Sequence, residues 1–379
     1  MSDQRGPISG GAGDALIAHL VAQGYERAEP AVLQPAPVFL DLAGEDIRGR
    51  LYITSDSSGA EFCLRPEYTI PVCRDYLAGP RSGEAAAFSY FGTVFRYRPN
   101  GAGEFEQAGL ESFGRNDREA ADAEILALSL EAAHIGGAQG LSVRFGDAGL
   151  FTRLLAALDL PPVWMRRIRR AHARGLSLAD LLRASEDGPT TDHSGMLAAL
   201  EGVDRAGARA LVEDLLSIAG ISSVGGRSAS EIAERFLEQS SLQAGAGFSA
   251  EKQSVIEAWL KVSGDPDACA ARMRALSADA SLDLTSALDA FDARLGFLAA
   301  RGLDVPGMSF SARFARDLDY YTGFVFEAHD PDRTDGRPVV GGGRYDGLVR
   351  TLGAKADIPA VGAAIWCERL NDPNAGAAE

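Results

Sequence analysis

Positive charge is scarce in this chain. Its 379 residues carry 37 Lys and Arg against 53 Asp and Glu, a formal charge of −16. A protein built to grip a phosphate backbone neutralises it with Lys and Arg, so wholesale nucleic-acid binding is not expected, although a local basic patch stays open. Cysteine is sparse too. Cys63, Cys73, Cys269 and Cys367 are scattered without a Cys-x-x-Cys pair, which fits reduced thiols and offers neither a disulfide frame nor a zinc site. No apolar run reaches membrane-spanning length, and residues 1–13 are polar and glycine-rich without an apolar signal core. A soluble cytoplasmic chain with a flexible 1–13 lead is therefore expected. Walker and Rossmann fingerprints, internal repeats and long low-complexity tracts are all lacking, and neither a metal nor a cofactor is expected.

What is present is apolar bulk, 46% of the residues, over a length that fits two or three domains. Asp14 to Gln23 has helical spacing and stops at Gly24. The prolines of Glu29 to Pro37 predict edge or extended structure. Two short strands follow, Leu51 to Thr54 and Glu61 to Leu64, joined by a turn at Asp56 to Gly59. Thr69 reads as the N-cap of a helix reaching about Leu77, which leaves Glu67 at a strand-to-helix corner, either facing a cleft or in a surface salt bridge. Phe88 to Arg98 and Phe105 to Phe113 read as strands. In the second, period 2 puts Gln107, Gly109 and Glu111 on one face, with room for a ligand over the glycine. Polar groups among phenylalanines need partners, which points to a polar ligand pocket.

Asn116 to Ile135 predicts a helix with Asn116 and Glu119 in capping-box spacing. Leu141 to Phe145 is a strand, and residues 14–146 form the first part of a strand-rich core. From 147 to 302 the pattern is helical, broken at Pro161-Pro162, Asp187 to Pro189 and Val224 to Gly226. This is an inserted helical region. Its basic run of Arg166, Arg167, Arg169, Arg170 and Arg174 is either a solvated face or a contact for an acidic partner or phosphate. The core resumes over 303–370, and 371–379 is a tail. Phe310 to Arg316 reads as a strand that turns at Asp317 to Asp319 and resumes, bringing a guanidinium together with Tyr320 and Tyr321. The glycines of Val339 to Gly347 mark either a turn or close approach to something bound.

Leu64 to Glu67, Phe95-Arg96, Phe105 to Glu111, Arg316 to Tyr321, Gly342 to Leu348, and Pro359 to Gly362 with Glu368 to Leu370 together resemble the ordered motifs of histidyl-tRNA synthetases. The resemblance spans 14–370 and implies an α+β fold, the class II synthetase catalytic domain with an antiparallel sheet flanked by helices, dimeric around Pro30. It also implies a histidine pocket. Glu67, Thr69 and Gln107 would meet the ammonium, Arg316 and Arg96 the carboxylate, and Glu111 with Tyr321 the imidazole, between walls of Tyr320 and Tyr345. The donor and acceptor types suit those three groups.

Three departures from the synthetase pattern steer the functional expectation. After Leu370 only nine residues follow, where the synthetases continue into an anticodon-binding domain. The loop Asn100 to Glu104 lacks the arginines that hold a triphosphate and places Glu104 where it would repel one. Tyr68 stands where the synthetases carry glycine and would crowd the pocket. This combination is similar to the regulatory-subunit family of ATP phosphoribosyltransferase. That resemblance implies a non-catalytic partner of a short catalytic subunit that makes phosphoribosyl-ATP from ATP and phosphoribosyl pyrophosphate, the first step of histidine biosynthesis. It implies L-histidine as feedback effector, a dimer within a hetero-octamer, and no tRNA. The alternative is a truncated synthetase, or a paralog, that adenylates histidine; Arg96, Arg316 and Arg369 favour it.

Overall fold

Strands rich in aromatic and small residues form the centre of the fold, and most of those described join one sheet. The computed structural model describes residues 10–42, 49–99, 101–173, 175–176, 178, 214, 223–224, 227–228, 248–316 and 320–370. In chain order these form α1 (Gly10–Ala22), β1 (Glu26–Arg27), β2 (Leu33–Pro35), α2 (Ala36–Leu42), β3 (Ile53–Ser55), β4 (Glu61–Leu64), α3 (Thr69–Ala78), β5 (Ala86–Phe95) and β6 (Glu104–Phe113). Next come α4 (Arg118–Ile135), β7 (Ser142–Asp147), α5 (Ala148–Ala157), α6 (Pro162–Ala173), β8 (Ser223–Val224), β9 (Arg227–Ser228), α7 (Ala250–Leu260) and β10 (Ser263–Gly264). The rest are α8 (Pro266–Asp279), α9 (Thr285–Ala300), β11 (Ser309–Ser311), β12 (Phe324–His329), β13 (Val340–Arg344), α10 (Asp346–Thr351), β14 (Ala360–Trp366) and a 3₁₀ turn, Cys367–Arg369.

Nine strands run in the order β1-β5-β6-β14-β13-β12-β7-β11-β10. All pairs are antiparallel except β1 with β5 and β11 with β7. A small sheet, β2-β4-β3, stands apart from it. Helices α1, α4 and α9 pack in series against the large sheet.

Several local expectations change for identifiable reasons. Helix α1 begins at Gly10, inside the stretch expected to be flexible, and 1–9 lie outside the described residues. Only Leu33–Pro35 of the proline-rich segment is extended. Ala36 opens α2 with Pro37 in its first turn, where a missing N–H costs nothing. Thr69 does not cap α3. It is the first helical residue, and the Glu67 carboxylate does the capping by accepting from Thr69 N at 2.7 Å and Ile70 N at 2.9 Å. The capping box at Asn116 is absent because Asp117 is the N-cap residue and its carboxylate is drawn to Arg115, 3.0 Å away. The strand expected to reach Arg316 ends at Ser311, where Phe314 N donates back to Ser311 O and closes a turn; 317–319 lie outside the described residues.

By contacts the chain divides into two units. The first takes in residues 1–154, 173–175 and 258–379, and the second 155–172 and 176–257. Helices α8 and α9, expected inside the insertion, thus group with the first unit. A buried charge network explains the place of α9, on which α8 packs. Asp122 of α4 is 0% exposed and accepts from Arg294 Nε of α9 at 2.9 Å and from Arg344 Nη2 of β13 at 2.6 Å. Arg294 Nη1 also donates to Asp147 at 2.8 Å, and Arg344 Nη1 to Asp346 at 3.0 Å. Buried charges demand partners, so these pairs fix α9, α4 and β13 to one another. In the second unit Trp164 of α6 stacks on Phe248 with centroids 4.8 Å apart, and Arg166, Arg169 and Arg170 point to solvent. Arg174 and the break at 187–189 fall outside the described residues.

Candidate functional site

Strand register builds the floor of the site. Across the sheet Gln107 lies opposite Trp366, Gly109 opposite Ala364, Ala364 opposite Gly341, Gly341 opposite Glu327 and Glu327 opposite Arg144. One step along, Glu111 faces Gly362 and Gly362 faces Gly343. Small residues therefore pave the centre, and a cleft of about 760 Å³ lies over them within the first unit.

Glu67, Thr69, Arg96, Gln107, Arg316, Tyr320, Tyr321 and Tyr345 all line this cleft. Glu111 does not. It is 1% exposed and sits behind Gly362, where any Cβ would fall 1.6 Å from its Oε2. Its carboxylate accepts from Thr69 Oγ1 at 2.7 Å and from the Tyr345 hydroxyl. Burial pushes the Glu111 carboxyl up to about 8, against the pull of those hydrogen bonds and aided by the nearby charge of Glu67. Glu67 is likewise raised by burial, although its backbone hydrogen bonds and Arg96 oppose the shift.

Arg316 lies flat on the sheet because residue 341 is glycine; a Cβ there would come 2.0 Å from Nη1. Its Nε is 3.4 Å from Glu327 Oε1, and the rings of Tyr321 and Trp366 flank it at 5.8 and 5.7 Å. Arg96 donates from Nε to Pro66 O at 2.7 Å. Two buried polar atoms on lining residues have no hydrogen-bond partner: Gln107 Oε1, an acceptor, and Arg316 Nη1, a donor. Orphaned buried groups at a cleft call for a ligand that supplies the missing bonds.

Three site expectations are corrected. The space over Gly109 is filled by Tyr90, whose hydroxyl sits 2.3 Å from where a Cβ would be. Tyr68 does not crowd the cleft. It turns into the core between the Arg65 guanidinium, 4.3 Å from its centroid, and the Tyr90 ring stacked at 4.4 Å. Glu104 is exposed at the start of β6 and does not line the cleft. Sequence reasoning also missed lining residues: Arg50, Arg98, Arg144, Glu327 and Arg337 come from separate elements. Arg98 forks onto Glu368 at 2.9 and 2.8 Å and lies 3.7 Å above the Phe105 ring. Only Glu327 carried a local signal, a carboxylate that follows the apolar run Phe324 to Phe326 within its strand.

Among the described residues no group of His, Cys, Asp and Glu could hold a metal ion, and no helix is long and apolar enough to cross a membrane. All four cysteines are buried and unpaired.

The sequence profile of the histidyl-tRNA synthetase family matches residues 12–223 and 196–370. The chain is 39% identical over 362 residues to proteins of Brucella canis and Brucella suis named ATP phosphoribosyltransferase regulatory subunit, covering 94% of this chain and 95% of theirs. Among solved structures, an ATP phosphoribosyltransferase regulatory subunit/histidyl-tRNA synthetase from Bacillus halodurans superposes with TM-score 0.65 at 20% identity, over 98% of this chain and 83% of that one. Histidyl-tRNA synthetase from Nostoc superposes with TM-score 0.58 at 18% identity, over 95% and 69%. These two likenesses establish the class II synthetase-like fold.

Proposed function

From the premise that the chain belongs to the family of ATP phosphoribosyltransferase regulatory subunits, on a histidyl-tRNA synthetase-like fold, we propose that it senses L-histidine and sets the activity of a catalytic subunit that forms phosphoribosyl-ATP. The observation that carries this is the pair of orphaned atoms on one cleft. Gln107 Oε1 can accept from an ammonium and Arg316 Nη1 can donate to a carboxylate, the two ends common to every α-amino acid. Glu67 and the lone pairs of Thr69 Oγ1 complete the ammonium site, and Arg96 joins Arg316 at the carboxylate. Tyr321 takes an imidazole nitrogen between Tyr320 and Tyr345, and Glu111, behind Gly362, holds Thr69 and Tyr345 in place from beneath.

Charge-assisted contacts contribute about 1.5–3 kcal/mol each, so a few of them reach the roughly −8 kcal/mol of micromolar binding. Histidine acts as an effector to the extent that it binds one arrangement of the complex better than another, typically by about 1–3 kcal/mol. The chain itself is non-catalytic, cytoplasmic and independent of tRNA. It dimerises through the small β2-β4-β3 sheet, beside which Val32, Leu33, Tyr52 and Ile53 stand exposed, and enters a hetero-octamer with the catalytic subunit.

One observation favours a second reading, a histidine-adenylating enzyme: Arg50, Arg98, Arg337 and Arg369 share the cleft. Against it, the Arg98 guanidinium is already held by Glu368. Calorimetric titration with L-histidine and, in parallel, ATP separates the two. Micromolar to sub-millimolar histidine binding without an ATP signal supports the sensor. Histidine-dependent exchange of labelled pyrophosphate into ATP would replace it with the enzyme.

A further inference from the structure

Glu327 belongs to none of the ligand contacts assigned above, yet it organises one end of the cleft. Strand β12 presents it on the same face as His329, opposite Gly341 on one side and Arg144 on the other. Its Oε2 accepts from Arg144 Nη2 at 2.7 Å and lies 3.1 Å from His329 Nε2, while Oε1 is 3.4 Å from Arg316 Nε. Arg316 is only 10% exposed, so its guanidinium has few places to go. The Nε edge faces Glu327, the floor beneath is Gly341, and Nη1 is left without a partner.

A guanidinium is a planar fork whose two edges can serve two carboxylates at once. We infer that Glu327 is a positioning residue for ligand selection: it fixes one edge of Arg316 so that the other edge is presented to the carboxylate of an α-amino acid, and Arg144 and His329 hold Glu327 in turn. The inference rests on the proposed histidine site and adds a cause for its discrimination. Ligands with a carboxylate benefit from the prearranged fork, whereas ligands lacking one gain nothing from it. A long arginine released from its anchor would have to be ordered again by each ligand.

The test is calorimetric titration of the full chain with L-histidine and with L-histidinol, in which a hydroxymethyl group replaces the carboxylate. Glu327→Gln should weaken histidine about tenfold and change histidinol less than twofold. In an Arg316→Gln background the same substitution should change histidine affinity less than twofold, because Glu327 acts through Arg316. Arg144→Ala, at a half-exposed position that cannot unfold the sheet, should give a smaller loss of the same selectivity. Tighter histidine binding by Glu327→Gln would mean that Glu327 competes with the ligand and would overturn the inference, as would equal losses for histidine and histidinol or full additivity with Arg316→Gln. Failure of the unsubstituted protein to bind histidine would overturn the sensor reading itself, a result distinct from each of these.

Discussion

Glu111 offers a sharp handle on the site through pH. Burial raises its carboxyl from 4.5 to about 8, so in the empty site it is mostly protonated at neutral pH. Thr69 Oγ1 lines the cleft and donates to Glu111, so a ligand cation bound beside Thr69 favours the ionised form of Glu111, and histidine binding then expels a proton. The bound state holds fewer protons, so affinity climbs with pH below the empty-site value and levels above it. With a pKa of about 8, the ionised fraction of the empty site rises from about 1% at pH 6 to about half at pH 8, which corresponds to roughly 50-fold tighter binding, or about 2 kcal/mol. Glu111→Gln cannot titrate, and its histidine affinity should lack this rise. Titration of the ligand's own imidazole is common to both proteins and cancels in their ratio. The same pKa shift has a second consequence for the empty protein. Because the unfolded carboxyl ionises first, stability is fully present below about 4.5 and is lost as pH rises towards about 8. Calorimetry at pH 6, 7 and 8, in buffers of different ionisation enthalpy, reads both the affinity and the proton count. Parallel pH profiles for the two proteins, or no proton released at pH 7, would refute the reasoning.

Two further outcomes are expected. Asp122→Ala removes the shared partner of Arg294 and Arg344 and should cost about 3 kcal/mol or more, read as a lower first transition in thermal unfolding. Leu33→Asp places a charge on an exposed apolar strand of the small sheet, and light scattering should then report monomers where the unsubstituted chain gives dimers, with little change in secondary structure.

Much of the site was legible because its chemistry lies in short contiguous motifs. Gln107 and Glu111 could be placed on one face from period 2 alone, and the unbroken register of β6 on β14 keeps them there, although both faces of the strand are buried. The location of Glu67 at the corner before α3 was also readable, but its capping of the helix was not, since a glutamate before a threonine gives no clue to which of the two takes the free N–H groups. Gly109 misled for a related reason. A missing side chain creates space, and only the neighbouring strand decides what fills it; here that is Tyr90. Glu327 and Arg144 were invisible as a pair because they are 183 residues apart and meet only through the register of β12 on β7.

Composition and alternation by themselves determined local elements such as β6 and the end of α1 before Gly24, while the order of short motifs, through its resemblance to histidyl-tRNA synthetases, determined the fold class, the family and eight of the residues that line the cleft. The tertiary structure alone decided the rest. It put Glu111 behind Gly362 rather than on the wall, turned Tyr68 into the core, returned α9 to the first unit through Arg294, and gathered arginines from separate elements around one cleft. These outcomes follow from the pairing of distant strands and from the demand that buried charges find partners, and neither has a signature within a short stretch of chain.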